Sequence, residues 1–160
     1  MTTTESELIK LRTSDDVVFS IEKHVIVQSV LIKNMLNDLD VVDDIPLPNV
    51  TSATMKIIVE YLTHHKDDVI PAEPVEKKLH DISDFDKELL NVVNSTLFDI
   101  ILAANYLDIP SLLDVGCRCV AIKIKGKSVE EIQKEFNIPK EHHRSDEEIA
   151  KMKEELKGIL

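Results

Sequence analysis

The stretch Thr96-Leu97-Phe98-Asp99-Ile100-Ile101-Leu102-Ala103-Ala104-Asn105-Tyr106-Leu107-Asp108-Ile109 is strongly apolar, and Leu97, Ile100, Ile101, Ala104 and Leu107 recur at helical spacing. Ser95 stands before them as the expected N-cap, so the pattern predicts a helix over Thr96–Leu107. Pro110 falls in the first turn of a further helix, where its missing N–H costs little. That helix carries Leu112, Leu113, Val115, Val120 and Ile124, and Gly126 is its expected stop.

Upstream the character is mixed. Leu8–Arg12 reads as a strand, Ser14-Asp15-Asp16 as a turn, and Val17–Ile21 as the returning strand of a hairpin. A short helix over Glu22–Val27 follows, then one capped by Ser29 with Leu31, Ile32, Met35, Leu36 and Leu39 at helical spacing. After an acidic break at Asp38–Asp44, the prolines of Ile45-Pro46-Leu47-Pro48 hold the chain extended, as a third strand only at a sheet edge. Thr51 caps a helix with Met55, Ile58, Val59 and Leu62 on one face. Residues 64–84 contain two prolines, many charges and no sustained period, and are expected to form an exposed, mobile loop before order returns at Phe85–Leu90.

Downstream the chain is helical only. Ser128-Val129-Glu130-Glu131 and Ser145-Asp146-Glu147-Glu148 are both capping-box patterns, the second opening a helix striped by Ile149, Met152 and Leu156. Strands mixed with helices, then helices alone, define an α+β domain with a helical tail. No internal repeat is evident.

At 160 residues and 43% hydrophobic content the chain can build its own core, and with 4% aromatics and no Trp that core must be aliphatic. Lys and Arg total 19 against 30 Asp and Glu, a net charge of -11 that opposes nucleic-acid and anionic-membrane binding. Neither a signal-peptide pattern nor a run of ~18 apolar residues is seen, and Cys117 and Cys119 are spaced poorly for a disulfide. A reducing compartment, cytoplasm or nucleus, is the expected location.

Candidate chemistry is thin. The pairs His64-His65 and His142-His143 lack a second ligand pair at zinc spacing and are expected to be exposed polar residues at element ends. Cys117 and Cys119 have no neighbouring His and are expected to be small buried hydrophobes, although Arg118 would favour a thiolate. The carboxylates cluster in solvated runs, and three glycines cannot form a phosphate-cradling loop. No enzyme activity, metal or cofactor is expected. The wide apolar faces of the C-terminal third, Leu112, Leu113, Val120, Ile122 and Ile124 and then Ile132, Phe136 and Ile138, fit either intradomain packing or a protein partner.

The Thr96–Ile109 run with Leu112-Leu113-Asp114-Val115 closely resembles the S-phase kinase-associated protein 1 family, the BTB/POZ adaptor of SCF cullin-RING ubiquitin ligases. Ile45-Pro46-Leu47-Pro48-Asn49-Val50, His64-His65-Lys66-Asp67-Asp68, Ile124-Lys125-Gly126-Lys127-Ser128 and Phe136-Asn137-Ile138 extend the likeness along nearly the whole chain. The resemblance implies a BTB/POZ domain over 1–125, with a small three-stranded sheet, and an F-box-binding helical extension over 126–160. It implies a cullin N-terminal contact at Asn105 and Tyr106. For F-box proteins it implies a surface of Phe98, Ile101, Leu113, Cys117, Val120, Ile124, Ile132, Phe136 and Ile138.

Three departures mark a diverged paralogue. The family's C-terminal Trp is replaced by the region Lys153–Leu160, and Phe85 stands near another customary Trp. Gly116 interrupts a helix where a β-branched or polar residue is usual, at roughly 1 kcal/mol of helix propensity. The competing readings are a BTB-fold structural or regulatory protein acting outside the ligase, able to form a homodimer when unbound, and an elongin C-like adaptor. The helices after Ser128 oppose the latter.

Overall fold

The computed structural model describes residues 7–38, 44–68, 76–139 and 145–157. Internal contacts cluster in two units, Met1–Lys123 and Ile124–Leu160.

In the first unit, strand β1 (Leu8–Thr13) alternates exposed and buried residues and places Ile9, Leu11 and Thr13 in the core. Strand β2 (Val18–Glu22) pairs with it antiparallel, Leu11 opposite Phe19. The turn between them uses Asp16 at φ 61, a left-handed position that Asp tolerates. Strand β3 (Ile45–Leu47) joins the far side of β1 in parallel, giving the order β2-β1-β3. Pro46 therefore lies on an edge strand, as its lost N–H requires.

Helices α1 (Lys23–Ile26), α2 (Val30–Asp38), α3 (Ser52–His64), α4 (Asp84–Leu89), α5 (Asn94–Leu107) and α6 (Pro110–Ile124) complete the order. Met55, Ile58, Tyr61 and Leu62 of α3 share one core with Leu97, Ile100, Ala103, Ala104 and Leu107 of α5. Burial holds the Tyr61 hydroxyl's pKa up at about 12, against a hydrogen bond with Ser111 that lowers it. Thr51 caps α3, its side chain accepting from Thr54 N, and Asp15 reaches across from the hairpin turn to accept from Ser52 N at 2.8 Å. Hydrogen bonds from the Ser52 and Thr13 hydroxyls bring the Asp15 carboxyl pKa down to about 2.

The end of α5 is closed in a Schellman arrangement: Asp108 takes φ 52, Asp108 N donates to Asn105 O (3.2 Å) and Ile109 N to Ala104 O (2.9 Å). The carbonyls of Leu107 and Asp108 are met from the N-terminal end of α2. Ser29 Oγ donates to Leu107 O, Val30 N donates to Asp108 O at 2.9 Å, and the same hydroxyl accepts from Ile32 N at 3.3 Å.

Several expectations need correction. Ser95 does not cap α5: the helix starts at Asn94 with Val93 as its N-cap and no side-chain cap bond. Lys123 Nζ donates to the Asn94 side-chain Oδ1 at 2.7 Å, a link between α6 and the start of α5 rather than a cap. Gly116 does not interrupt α6, which runs continuously through it. The 64–84 stretch is not uniformly an exposed loop. His64 completes α3, Ile82 is buried, and Arg118 donates to Asp81 O at 3.2 Å while pairing with Asp114 at 2.7 Å. Residues 69–75 of that stretch lie outside the described residues.

In the second unit, α7 (Val129–Glu135) opens with both bonds of the Ser128–Glu131 capping box. It ends with Asn137 at φ 51 and Ile138 N donating to Gln133 O at 2.9 Å, another Schellman closure. Helix α8 (Asp146–Lys157) opens with the Ser145–Glu148 box and has no buried residue among those described.

Ser29 serves two helices at once, so Ser29→Ala should cost about 1–2 kcal/mol, read as a fall in the urea midpoint at constant slope. An unchanged midpoint would show that neither bond contributes.

Candidate functional site

On α5 the core side is occupied by Leu97, Ile100, Ala104 and Leu107, which leaves the opposite side for Phe98, Leu102, Asn105 and Tyr106. Phe98, Leu102 and Tyr106 follow one another at intervals of four and form a single row along the helix. Leu102 is 67% exposed and Phe98 39%, while Tyr106 packs partly against the core and Asn105 is exposed. Asn105 and Tyr106 sit in the last turn, which the Asp108 closure and the α2 contacts hold in one conformation.

On α6, Leu113, Cys117 and Val120 recur at intervals of four and three and so share a flank. Leu113 and Val120 are half-buried against the core and Cys117 is exposed. Ile101 of α5 is half-buried and lies directly over Gly116 of α6. The structure thus brings Ile101 onto α6, next to the positions that flank Gly116. In the second unit, Ile124 is 37% exposed, Ile132 and Phe136 are half-buried one turn apart, and Ile138 is exposed after the turn at Asn137.

Leu102 is absent from the sequence-predicted set. Its signal was the helical phase itself, which sets it opposite Leu97, Ile100 and Ala104, midway between Phe98 and Tyr106.

The Skp1 family tetramerisation domain matches residues 7–67 and the Skp1 family dimerisation domain residues 110–157. The SCF ubiquitin ligase complex protein SKP1a of Dictyostelium discoideum is 45% identical over 152 residues, covering 92% of this chain and 94% of its own. The chain belongs to the Skp1 family. The E3 ubiquitin ligase complex SCF subunit sconC of Arthroderma benhamiae is 44% identical over 163 residues, covering 97% and 98%. For this Skp1-family chain no helix among the described residues is long and apolar enough to cross a membrane.

The remaining candidate chemistry resolves into structure. His65 is not a free residue at an element end: its Nε2 lies 2.8 Å from buried Asp86 and its Nδ1 is paired with Asp68. Tyr61 packs on its ring at 4.3 Å, and His64 stacks on Phe85 at 3.7 Å. Both imidazole nitrogens are engaged, and no group of three His, Cys, Asp or Glu that could hold a metal occurs among the described residues. His142 and His143 lie outside those residues. The expectation that both cysteines are buried fails for Cys117, which is exposed; Cys119 is half-buried, and burial pushes its thiol pKa up, away from a reactive thiolate.

Two predictions follow from these contacts. Burial pulls the His65 pKa down, but hydrogen bonds and charge from Asp86 and Asp68 outweigh it, so the folded value is raised. A raised folded value stabilises fully below the unfolded value of about 6.5, and the contribution is lost as pH rises through the folded pKa. Wild type should therefore exceed His65→Gln most in denaturant stability near about pH 6, with the gap narrowing at alkaline pH; a constant gap would refute the assignment. On α5, Leu102→Ser should change stability by no more than about 0.5 kcal/mol while Leu97→Ala costs about 2–5 kcal/mol, both read by denaturation.

Proposed function

We propose that the chain is a non-catalytic adaptor of an SCF-type ubiquitin ligase, bridging the N-terminal region of a cullin and F-box substrate receptors. The observation that carries this reading is the 45% identity to a protein named as an SCF ubiquitin ligase complex protein, over 94% of that protein's length. Kinship of that extent leaves little of either chain unmatched.

In this reading residues 1–125 are the BTB/POZ part and 126–160 the F-box-binding extension. Asn105 and Tyr106 contact the cullin. Their place in a turn closed on both sides supports that role, because a pre-ordered contact loses little entropy on binding. Phe98, Ile101, Leu113, Cys117 and Val120 from the first unit, and Ile124, Ile132, Phe136 and Ile138 from the second, contact the F-box. Apolar side chains left half-exposed along helices are the usual anchors for a partner's helices. The mechanism is positional: the receptor is held at a fixed geometry, and a recruited substrate meets ubiquitin carried elsewhere in the assembly. The charge of -11 favours encounter with basic surfaces on either partner.

The test is co-purification of the full chain with a cullin N-terminal domain and an F-box domain. Both should be retained together. Tyr106→Ala should lose the cullin and keep the F-box, and Phe136→Ala should weaken F-box binding by more than about 1 kcal/mol in a calorimetric titration. Retention of the F-box alone by the wild type would place the chain outside the ligase, and a self-associated species binding neither would point to the homodimer.

A further inference from the structure

Gly116 lies in the interior of α6 and is buried. Its backbone does not need glycine for conformational reasons, since Gly126 is the glycine with positive φ. The reason is space. A Cβ built at Gly116 would fall 2.7 Å from Ile101 Cγ1, 3.5 Å from Ile101 Cδ1 and 4.0 Å from Ile101 Cβ. The side chain of Ile101 thus occupies the volume that any other residue at 116 would fill.

The close atom is Cγ1, one bond beyond the branch point, so the clash cannot be relieved by swinging a flexible end. Ile has a stiff χ1 in a helix, and relief requires either a rotamer change or separation of α5 from α6. Separation is opposed by the contacts that tie α6 to the rest of the fold: Lys123 to Asn94 at the start of α5, and Arg118 to Asp81 O. The remaining outcome is that Ile101 lifts out of its notch toward the half-exposed flank it shares with Phe98, three residues before it on α5. Leu113 and Cys117 bracket the notch on α6.

We propose that Gly116 is a positioning residue that sets the partner specificity of this face by fixing how deep Ile101 sits. This rests on the F-box reading above. With Ile101 sunk over Gly116, the surface above it is low and accepts a bulky aliphatic side chain from a partner helix. With a Cβ at 116 the raised Ile101 fills that space and a small side chain fits better. One methylene-sized change in an apolar pocket shifts discrimination by about 10-fold or more.

The experiment measures dissociation constants of the full chain for one F-box domain whose apolar helix positions are changed singly from Leu or Ile to Ala. Wild type, Gly116→Ala, Ile101→Ala and the double variant are compared, each checked by thermal melting. At one partner position the large-over-small preference of wild type should fall about 10-fold in Gly116→Ala. In the Ile101→Ala background, adding Gly116→Ala should change nothing, because the atom it strikes is gone. A uniform loss across all F-box variants, or an effect that persists without the Ile101 side chain, would overturn the proposal. If Gly116→Ala does not fold, Ile101→Ala alone must change the preference at one position, and an unchanged ranking overturns it equally. Failure of the wild type to bind any F-box domain is a different result: it removes the F-box reading and this proposal with it.

Discussion

A helix leaves its last carbonyls without partners, and a buried carbonyl without a partner is costly. In this protein α5 runs through the core, so its C-terminal end has to be answered from within the fold. The answer is reciprocal. Ser29 and Val30 at the start of α2 donate to Leu107 O and Asp108 O, and Ser29 uses its lone pairs to cap its own helix. One hydroxyl joins residues 78 positions apart. The hairpin, α1 and α2 thereby become fixed to α5, and the last turn of α5, with Asn105 and Tyr106, inherits that rigidity.

The same end-matching recurs at the hairpin turn, where Asp15 reaches the first turn of α3 and ties the sheet to the second core helix. At the other end of α3, His65 does the equivalent with Asp86, bringing α4 back after the intervening stretch. The aliphatic core supplies most of the driving force, but it is non-directional. Directional polar contacts at helix ends decide the order in which the apolar faces meet, which is why an otherwise acidic chain places some of its carboxylates so specifically.

Legibility in the sequence followed range. The hairpin, the edge strand with Pro46, the Thr51 cap and the capping boxes at Ser128 and Ser145 are all encoded within about four residues, and all are seen. Ser95 failed as a cap because α5 starts one residue before it, at Asn94, a residue tied to Lys123 29 positions downstream. His65 read as exposed because its buried partner lies 21 positions downstream. Gly116 read as a helix interruption because Ile101 is invisible to any local window. For the candidate surfaces, the apolar faces carrying Leu113, Val120 and Phe136 were readable, as was the phase that sets Leu102 opposite Leu97, whereas Phe98 entered through the family resemblance and the exposure of Cys117 depended on how α6 packs.

Helix α8 obeys a different rule from the rest of the chain. None of its described residues is buried, and the local support for its twelve residues comes from the Ser145–Glu148 box, three acids in the first turn and Lys157 in the last. Helices of this length are marginal on local interactions alone. For a segment supported only locally, a molecule that recognises the helix alone has its affinity reduced in proportion to the helical fraction. Ser145 and Glu148, through the two bonds of their own turn, therefore act as a thermodynamic dial on how much helix this end of the chain holds.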